Sequence, residues 1–246
     1  MRAAKSTLRP YLASDRAAVR AICCRTAFRH RGAAALIDDE ELFADYWTRY
    51  YTDFEPESIL IATRENEHTG YLLGCVDSAR FVRVMARHVV PSVIGRLTWR
   101  GVRGRYRNGR RTKAFFRWLM LRSWREAAPL DESRYPAHYH INLVAAGYQE
   151  RLYTRLALSF LDRVERAGVT HVHGRTLDVR DTGVFSRLIT AFLESNPGAE
   201  IYRAARDTSL GTDVLGTRRP LVNLAIGMST ATFRDVLTWG AARYGL

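Results

Sequence analysis

Residues 134–144 read RYPAHYHINLV, and this stretch decides how the rest of the chain is interpreted. Its side chains alternate with a period of two, which is the pattern of a β-strand. One face carries Tyr139, Ile141 and Leu143, and the other face carries His138, His140, Asn142 and Val144. The stretch therefore predicts a strand with one apolar face and one face of mainly polar, titratable side chains.

The sequence after this strand has the period of a helix. Residues 145–168, AAGYQERLYTRLALSFLDRVERAG, align Leu152, Leu156, Phe160 and Val164 on one stripe and end at a glycine suited to a helix C-terminus. Residues 169–178, VTHVHGRTLD, then predict another strand. The pattern indicates a strand, a helix and a strand in succession.

The flanking sequence extends this order in both directions. Before it we predict a strand at 7–11, helices at 14–28 and 38–54, and a hairpin of Ser58–Arg64 and Gly70–Asp77. After it we predict a helix at 180–198 and strands at 200–206 and 220–228. We expect an α/β (α+β) fold, in which helices flank a mixed, mostly antiparallel sheet, formed as one domain by residues 1–246.

A basic segment at residues 82–128 interrupts this order before the fourth main strand. Of the 38 Lys and Arg residues, 14 lie from Arg80 to Arg125, where there is no Asp or Glu. The rest of the chain carries 24 basic and 25 acidic residues and is therefore nearly neutral. We expect a partly helical insertion. Its interleaved arginines and aromatic rings suit tRNA or another nucleic acid, an acyl carrier protein, or an anionic membrane surface. Alternatively, the arginines form a solvated face and the rings pack on the core, in one copy or in a homodimer.

Composition excludes several other classes of protein. No stretch approaches the roughly 20 apolar residues of a membrane span, and residues 1–10 lack a signal-like apolar run, so we expect a cytoplasmic protein. The three cysteines have no metal-binding spacing, and His171 and His173 share a strand face without a third ligand. We therefore expect neither a disulfide nor a metal site.

The complete order of elements, together with the segments 134–144 and 148–178, resembles the GNAT superfamily of acetyl-CoA-dependent N-acetyltransferases. The YPAHYHINL stretch at residues 135–143 is similar to a bacterial branch that resembles the acetyltransferase-like domain associated with O-GlcNAcase. The likeness covers nearly the whole chain. It implies transfer of an acyl group, by default acetyl, from a CoA thioester to an amine of a small molecule.

The resemblance also implies where the cofactor binds. The pantetheine would pair with the backbone of Leu143 and Val144, and the pyrophosphate would lie on the loop and helix start at 148–154. That segment consists of Tyr148, Gln149, Glu150, Arg151, Leu152, Tyr153 and Thr154. Arg151 and Tyr153 occupy the positions where the family has small residues, which weakens close approach of a phosphate to the backbone.

Four side chains are candidates for the chemistry. His140 is the candidate base, because an imidazole titrates near neutrality, and Asn142 is a candidate for orienting a substrate carbonyl. Glu41 on the second helix and Asp178 after the fifth strand are further candidates. Each has a structural alternative: a packed histidine, a polar strand residue, a solvated helix start and a helix cap. The tyrosine that often protonates the leaving thiolate in GNAT enzymes is absent, with Ser186 nearest to its position.

Two alternatives to a CoA-dependent enzyme remain open. In the first, the acyl donor is an acyl carrier protein or an aminoacyl-tRNA that docks on the basic insertion. In the second, the chain is a non-catalytic GNAT-fold protein that binds its partner through Val82–Arg125.

Overall fold

The computed structural model describes residues 6–106, 109–144, 151–180, 182–217 and 219–244. Its strands are β1 Thr7–Pro10, β2 Ile59–Arg64, β3 Glu67–Cys75, β4 Ala137–Leu143, β5 His171–Val179, β6 Ile201–Asp207 and β7 Leu221–Ser229. They form one sheet in the order β1-β2-β3-β4-β5-β7-β6. Every neighbouring pair is antiparallel except β4 and β5, which run parallel. The mixed, mostly antiparallel sheet is confirmed.

The described α-helices follow the expected order on either side of this sheet. They are α1 Arg16–His30, α2 Glu40–Phe54, α3 Ser78–Val84, α4 Val90–Val102, α5 Arg110–Leu121, α6 Leu152–Arg166, α7 Val184–Ser195 and α8 Thr230–Tyr244. The sequence analysis did not predict α8. Its buried side is made of small residues and two aliphatic ones, so it shows little helical stripe.

The hairpin of β2 and β3 is closed by a two-residue turn. Arg64 pairs with Glu67, and Glu65 and Asn66 between them have positive φ values of 50° and 66°. Two left-handed residues give the turn that matches the twist of paired strands. The second strand of the hairpin therefore begins at Glu67, three residues before the predicted Gly70.

Two hydrophobic clusters cover the two faces of the sheet. One packs α1 and α2 on the face that carries Ile61 and Tyr71, and the other packs α6, α7 and α8 on the face that carries Ala62 and Leu72. Tyr139 and Ile141 of β4 join the second cluster, whereas Val144 joins the first. The alternation read from residues 134–144 is therefore confirmed, and the polar face of β4 lies under α1 and α2.

The insertion is more helical than the sequence indicated. Helix α3 begins at Ser78, where the Asp77 side chain accepts the Arg80 N–H at 3.0 Å, and it runs into α4 through a π-helical turn at Met85–Val89. Pro91 lies directly after this turn. Proline has no N–H and its ring crowds the preceding turn, so a locally wider helix accommodates it.

Candidate functional site

The two parallel strands at the centre of the sheet separate along their length. Strands β4 and β5 pair only at Ala137 with Val172 and at His138 with His173. Strand β4 continues to Leu143 beside β3, and β5 continues to Val179 beside β7. Beyond His138 the sheet therefore divides, and one edge of β4 faces an opening.

The ladder with β3 shows which backbone groups face that opening. Val144 donates its N–H to Thr69 O at 2.9 Å, and alternate residues of a strand direct their backbone groups to the same side. The groups of Ile141 and Leu143 therefore point toward β5, and among the described residues no backbone or side-chain bond reaches them there. Of the two residues assigned to backbone contacts, Leu143 faces the opening, while the Val144 N–H is used by β3.

The start of α6 supplies further backbone donors. Arg151 precedes the helix with φ 51° and ψ 33°, and the Arg155 N–H is donated to Arg151 O at 3.1 Å. The amides of residues 152–154 precede Arg155, the first residue whose N–H has an acceptor within the helix, and a helix N-terminus of this kind attracts an anion. Tyr148, Gln149 and Glu150 lie outside the described residues.

The side chains at this helix start point in different directions. Arg151 is exposed, whereas Leu152 and Thr154 are buried. Tyr153 folds back toward the sheet, where its hydroxyl lies 2.9 Å from that of Tyr139. Its ring therefore packs on β4 instead of filling the space over the helix N-terminus.

Two histidines beside the opening are held by the protein. Buried His138 hydrogen bonds Ser78 Oγ at 2.7 Å and Tyr51 OH at 3.2 Å, and His173 Nδ1 donates to Tyr135 O at 2.6 Å. Burial, then the neighbouring imidazoles, hold the pKa of His138 well below its usual value, and burial lowers the pKa of His173. Both rings are therefore neutral and fixed in place.

His140 differs from these two histidines. It is half-buried, its ring makes no hydrogen bond to another described residue, and the ring lies edge-on to those of Trp47 at 6.1 Å and Tyr51 at 5.9 Å. Burial, and secondarily the nearby His173, lowers the pKa of His140 to about 4. This histidine therefore presents a neutral imidazole with nitrogens that no described side chain uses.

Asn142 is oriented by the residue opposite it on β3. Its side-chain amide donates to Tyr71 OH at 2.9 Å, and Tyr71 is fully buried. The bond uses the amide nitrogen as donor, so the Asn142 carbonyl oxygen is the atom left to accept a further hydrogen bond.

Glu41 belongs to an ionic cluster that joins the insertion to α2. Its carboxylate accepts from Arg96 at 2.9 Å and from Arg100 at 2.5 Å. Arg100 also donates to fully buried Asp39 at 2.7 Å, and Arg96 pairs with Asp45. The acidic start of α2 is thus matched by arginines of α4.

Asp178 is engaged at the start of α7. Its carboxylate accepts the N–H of Ser186 at 3.1 Å and the Ser186 hydroxyl at 3.2 Å. This is the geometry of a side chain that satisfies a free amide in the first turn of a helix. Ser186, the residue nearest to the missing tyrosine, is turned toward this carboxylate.

Helix α5 of the insertion crosses the α2 side of the sheet. At its start Thr112 donates to Asp38 at 2.7 Å, and past its end Arg122 donates to Asp213 at 2.8 Å. Between them Phe115 is buried, with its ring 6.5 Å from that of Phe43. The insertion therefore spans the distance between the loop before α2 and the segment that joins β6 to β7.

The thiols do not contribute reactive groups. Cys23, Cys24 and Cys75 are buried, and burial raises the pKa of Cys23 to about 12 and that of Cys24 to about 11. The described part of the chain holds no cluster of three potential metal ligands. Within the same residues, no helix has the length and apolarity needed to cross a membrane.

A solved structure that superposes over most of the chain supports the assignment of the fold. SsHAT superposes with a TM-score of 0.57 at 24% identity, over 92% of this chain and 98% of that chain. The yncA acetyltransferase of Salmonella typhimurium, solved with acetyl-CoA, has a TM-score of 0.45 at 12% identity, over 92% and 94%. A GNAT-family acetyltransferase of Streptococcus pneumoniae has 0.43 at 11%, over 92% and 99%. No protein-family model and no curated protein matches the chain.

The chain has the GNAT acetyltransferase fold, as the resemblance predicted. The divided β4 and β5 pair and the following helix start lie where that resemblance assigned the cofactor.

Proposed function

We propose that this protein is an acyltransferase that moves an acyl group, by default acetyl, from a CoA thioester to an amine of a small molecule. The observation that carries the proposal is the edge of β4 at Ile141 and Leu143, whose backbone groups face the opening beside β5. An extended chain that carries amide groups pairs with such an edge as an added strand does.

The described residues fit such a donor at two points. Ile141 and Leu143 would bind the amide-containing arm through their backbone groups, and the amides of residues 152–154 would bind its phosphates, helped by the exposed Arg151 guanidinium. The bound donor would supply an activated thioester. The Tyr153 ring lies against Tyr139, away from the phosphate side of the helix start.

His140 is the residue that we assign to proton transfer. With a pKa of about 4 its imidazole is neutral at pH 7, so it accepts a proton without first losing one. It is too weak a base to deprotonate a free ammonium. It therefore takes the proton as the amine nitrogen forms its new bond and becomes acidic. Asn142, held by Tyr71, would orient the reacting groups through its carbonyl oxygen.

The proposed transfer step does not use Glu41 or Asp178. Glu41 binds two arginines of the insertion, and Asp178 caps α7. We assign both to positioning of the surrounding elements instead of to the transfer itself.

Calorimetric titration with acetyl-CoA tests the proposal, using Ile141→Pro and Ile141→Ala. Proline removes the N–H that faces the opening and fills its direction with the ring, and a strand tolerates proline where the N–H has no ladder partner. Alanine keeps the backbone donor. We expect binding by the wild type and by Ile141→Ala, and loss of binding in a folded Ile141→Pro. Absence of heat in the wild type, or unchanged binding by the proline variant, contradicts the proposal.

The transfer step has its own test. In an amine screen with acetyl-CoA, His140→Gln is expected to lower kcat by about 100-fold or more while acetyl-CoA binding is retained. An unchanged kcat would remove His140 from the reaction.

A second candidate function is binding without catalysis. It is favoured by the absence of a phenol at the position from which GNAT enzymes often protonate the thiolate. The nearest residue is Ser186, whose hydroxyl donates to Asp178. An intermediate possibility is an acyl carrier protein or aminoacyl-tRNA as donor. Turnover with such a donor but not with acetyl-CoA would favour it.

A further inference from the structure

The arginines of α4 and those of α5 differ in their partners. Arg96 and Arg100 point toward α2 and pair with carboxylates there. Arg110, Arg111 and Arg117 on α5 are exposed and have no carboxylate partner among the described residues. Helix α5 therefore presents three exposed arginines that no described carboxylate neutralises.

Apolar side chains lie beside arginines on the outward face of this helix. In a helix that turns 100° per residue, Arg110, Arg117 and Leu121 share the side opposite buried Thr112, Phe115 and Phe116, and Met120, which is 46% exposed, lies at the edge of that side. Leu121 is 57% exposed, and Trp124 in the following turn is 64% exposed, with Arg125 over its ring. The helix thus presents arginines beside exposed aliphatic and aromatic side chains.

This concentration sets the insertion apart from the rest of the described surface. Among the described residues eleven large hydrophobic side chains are exposed, and six of them lie in residues 82–128. They are Val82, Trp99, Val102, Met120, Leu121 and Trp124. Three of the six, Met120, Leu121 and Trp124, lie on α5 or in the turn that follows it, and apolar side chains exposed together on one surface mark an interaction site.

We infer that the outward face of α5 binds an anionic lipid surface. Arginines attract negatively charged headgroups, and Leu, Met and Trp side chains enter the boundary between headgroups and acyl chains. A nucleic acid would use the arginines and the Trp124 ring, but Met120 and Leu121 have no π-face on which a base stacks. A second copy of the chain would bring like charges together, because Arg80–Arg125 contains no acidic residue.

The carboxylates nearest to this face do not neutralise it. Glu126 accepts the Trp118 indole N–H at 2.8 Å and the Ser209 hydroxyl at 2.7 Å, so it is turned inward. Asp213 is paired with Arg122 at 2.8 Å. The face therefore retains its positive charge.

Flotation of the full chain with vesicles tests the inference. The vesicles contain phosphatidylcholine alone or mixed with phosphatidylglycerol. We expect binding only to the mixed vesicles. Equal binding to both kinds, or to neither, overturns the inference.

The apolar contribution is measured with Leu121→Ser against Leu12→Ser. Both leucines are 57% exposed, but Leu12 lies outside the insertion. We expect Leu121→Ser to weaken partitioning at least about tenfold, from the lost burial of one leucine side chain, and Leu12→Ser to leave it unchanged. Equal effects of the two substitutions contradict insertion of this face into the lipid boundary.

The electrostatic contribution is measured with Arg110→Gln combined with Arg117→Gln. Loss of two charges near an anionic surface predicts roughly thirty-fold weaker partitioning. The control replaces exposed Arg25 and Arg219 with glutamine and should partition as the wild type. If single-stranded RNA displaces the protein from vesicles while Leu121→Ser partitions like the wild type, the face is a nucleic-acid surface and the inference is wrong.

Discussion

The histidines beside the divided strands make a quantitative prediction about stability in acid. His140 has a pKa of about 4 in the folded protein, against about 6.5 in the unfolded chain. Between these values the unfolded chain binds more protons than the native one, so the free energy of unfolding falls as pH falls. Above pH 6.5 both states hold a neutral imidazole, and His140 makes no pH-dependent contribution.

The size of the loss in stability follows from the difference between the folded and unfolded pKa values of His140. A shift of about 2.5 pH units at about 1.4 kcal/mol per unit gives about 3 kcal/mol, lost between about pH 6.5 and pH 4. His138 and His173 have pKa values lowered in the same direction and add to the loss. The protein should therefore become less stable at a pH where most carboxylates are still ionised.

The perturbation is His140→Gln, which keeps a polar side chain but removes the titrating group. Urea unfolding of wild type and variant at constant ionic strength, in steps from about pH 7.5 to pH 4, measures the difference in the free energy of unfolding at each pH. The difference should shift in favour of the variant by about 3 kcal/mol across this range.

Carboxylates do not imitate this signal. Asp39 and Glu126 have lowered pKa values because of their hydrogen bonds, which outweigh burial, so their stabilisation is lost in more acidic solution and equally in both proteins. A wild-type minus variant difference that stays flat from neutral pH to pH 4 would refute the reasoning. It would mean that the His140 ring is solvated in the native state.

Two further predictions concern stability at neutral pH. Asp39→Asn removes the buried one of the two carboxylates that Arg100 contacts, and should destabilise the fold by about 3 kcal/mol in urea unfolding. Glu41→Gln, at the exposed end of the same cluster, should cost about 1 kcal/mol or less, and equal losses would contradict the assignment. Gly183→Ala places a Cβ within 2.1 Å of the Asp178 carboxylate and displaces this cap, so thermal unfolding should show a loss of about 1 to 3 kcal/mol. Gly198→Ala, where no atom lies within 4 Å of the added carbon, should show none.

The fold could be predicted largely because its central strand is explicit in sequence. The alternation in residues 134–144 has the period of a strand, and the apolar stripe of the following helix has the period of a helix. Both patterns identify correctly which side chains are buried against each other. Helix α4 was harder to predict, because Gly95, Gly101 and Pro91 are residues that disfavour helices. It forms because Val89 and Val93 are buried and Arg100 pairs with Asp39, contacts that no local pattern shows.

The candidate site was less predictable, because side-chain type does not specify the partner. His138 and His140 are two residues apart on the same strand face, yet one is fixed by Ser78 and Tyr51 and the other has no such bond. What separates them is the contact of His138 with Ser78 at the start of α3, 60 residues away in the sequence. The spacing of residues in the sequence does not predict this contact.

Glu41 shows what the sequence pattern leaves out about a candidate side chain. It was a candidate as one of the carboxylates at the start of the second helix, with a solvated helix start as the alternative. In the structure they are the counter-charges of α4, with Asp39 buried against Arg100 and Glu41 shared by Arg96 and Arg100. The same pairing decides what the insertion shows to solvent. Arg96 and Arg100 of α4 point inward, whereas Arg110, Arg111 and Arg117 of α5 are exposed without a described carboxylate partner. A partner with negative charge would therefore meet both arginines and apolar side chains on α5.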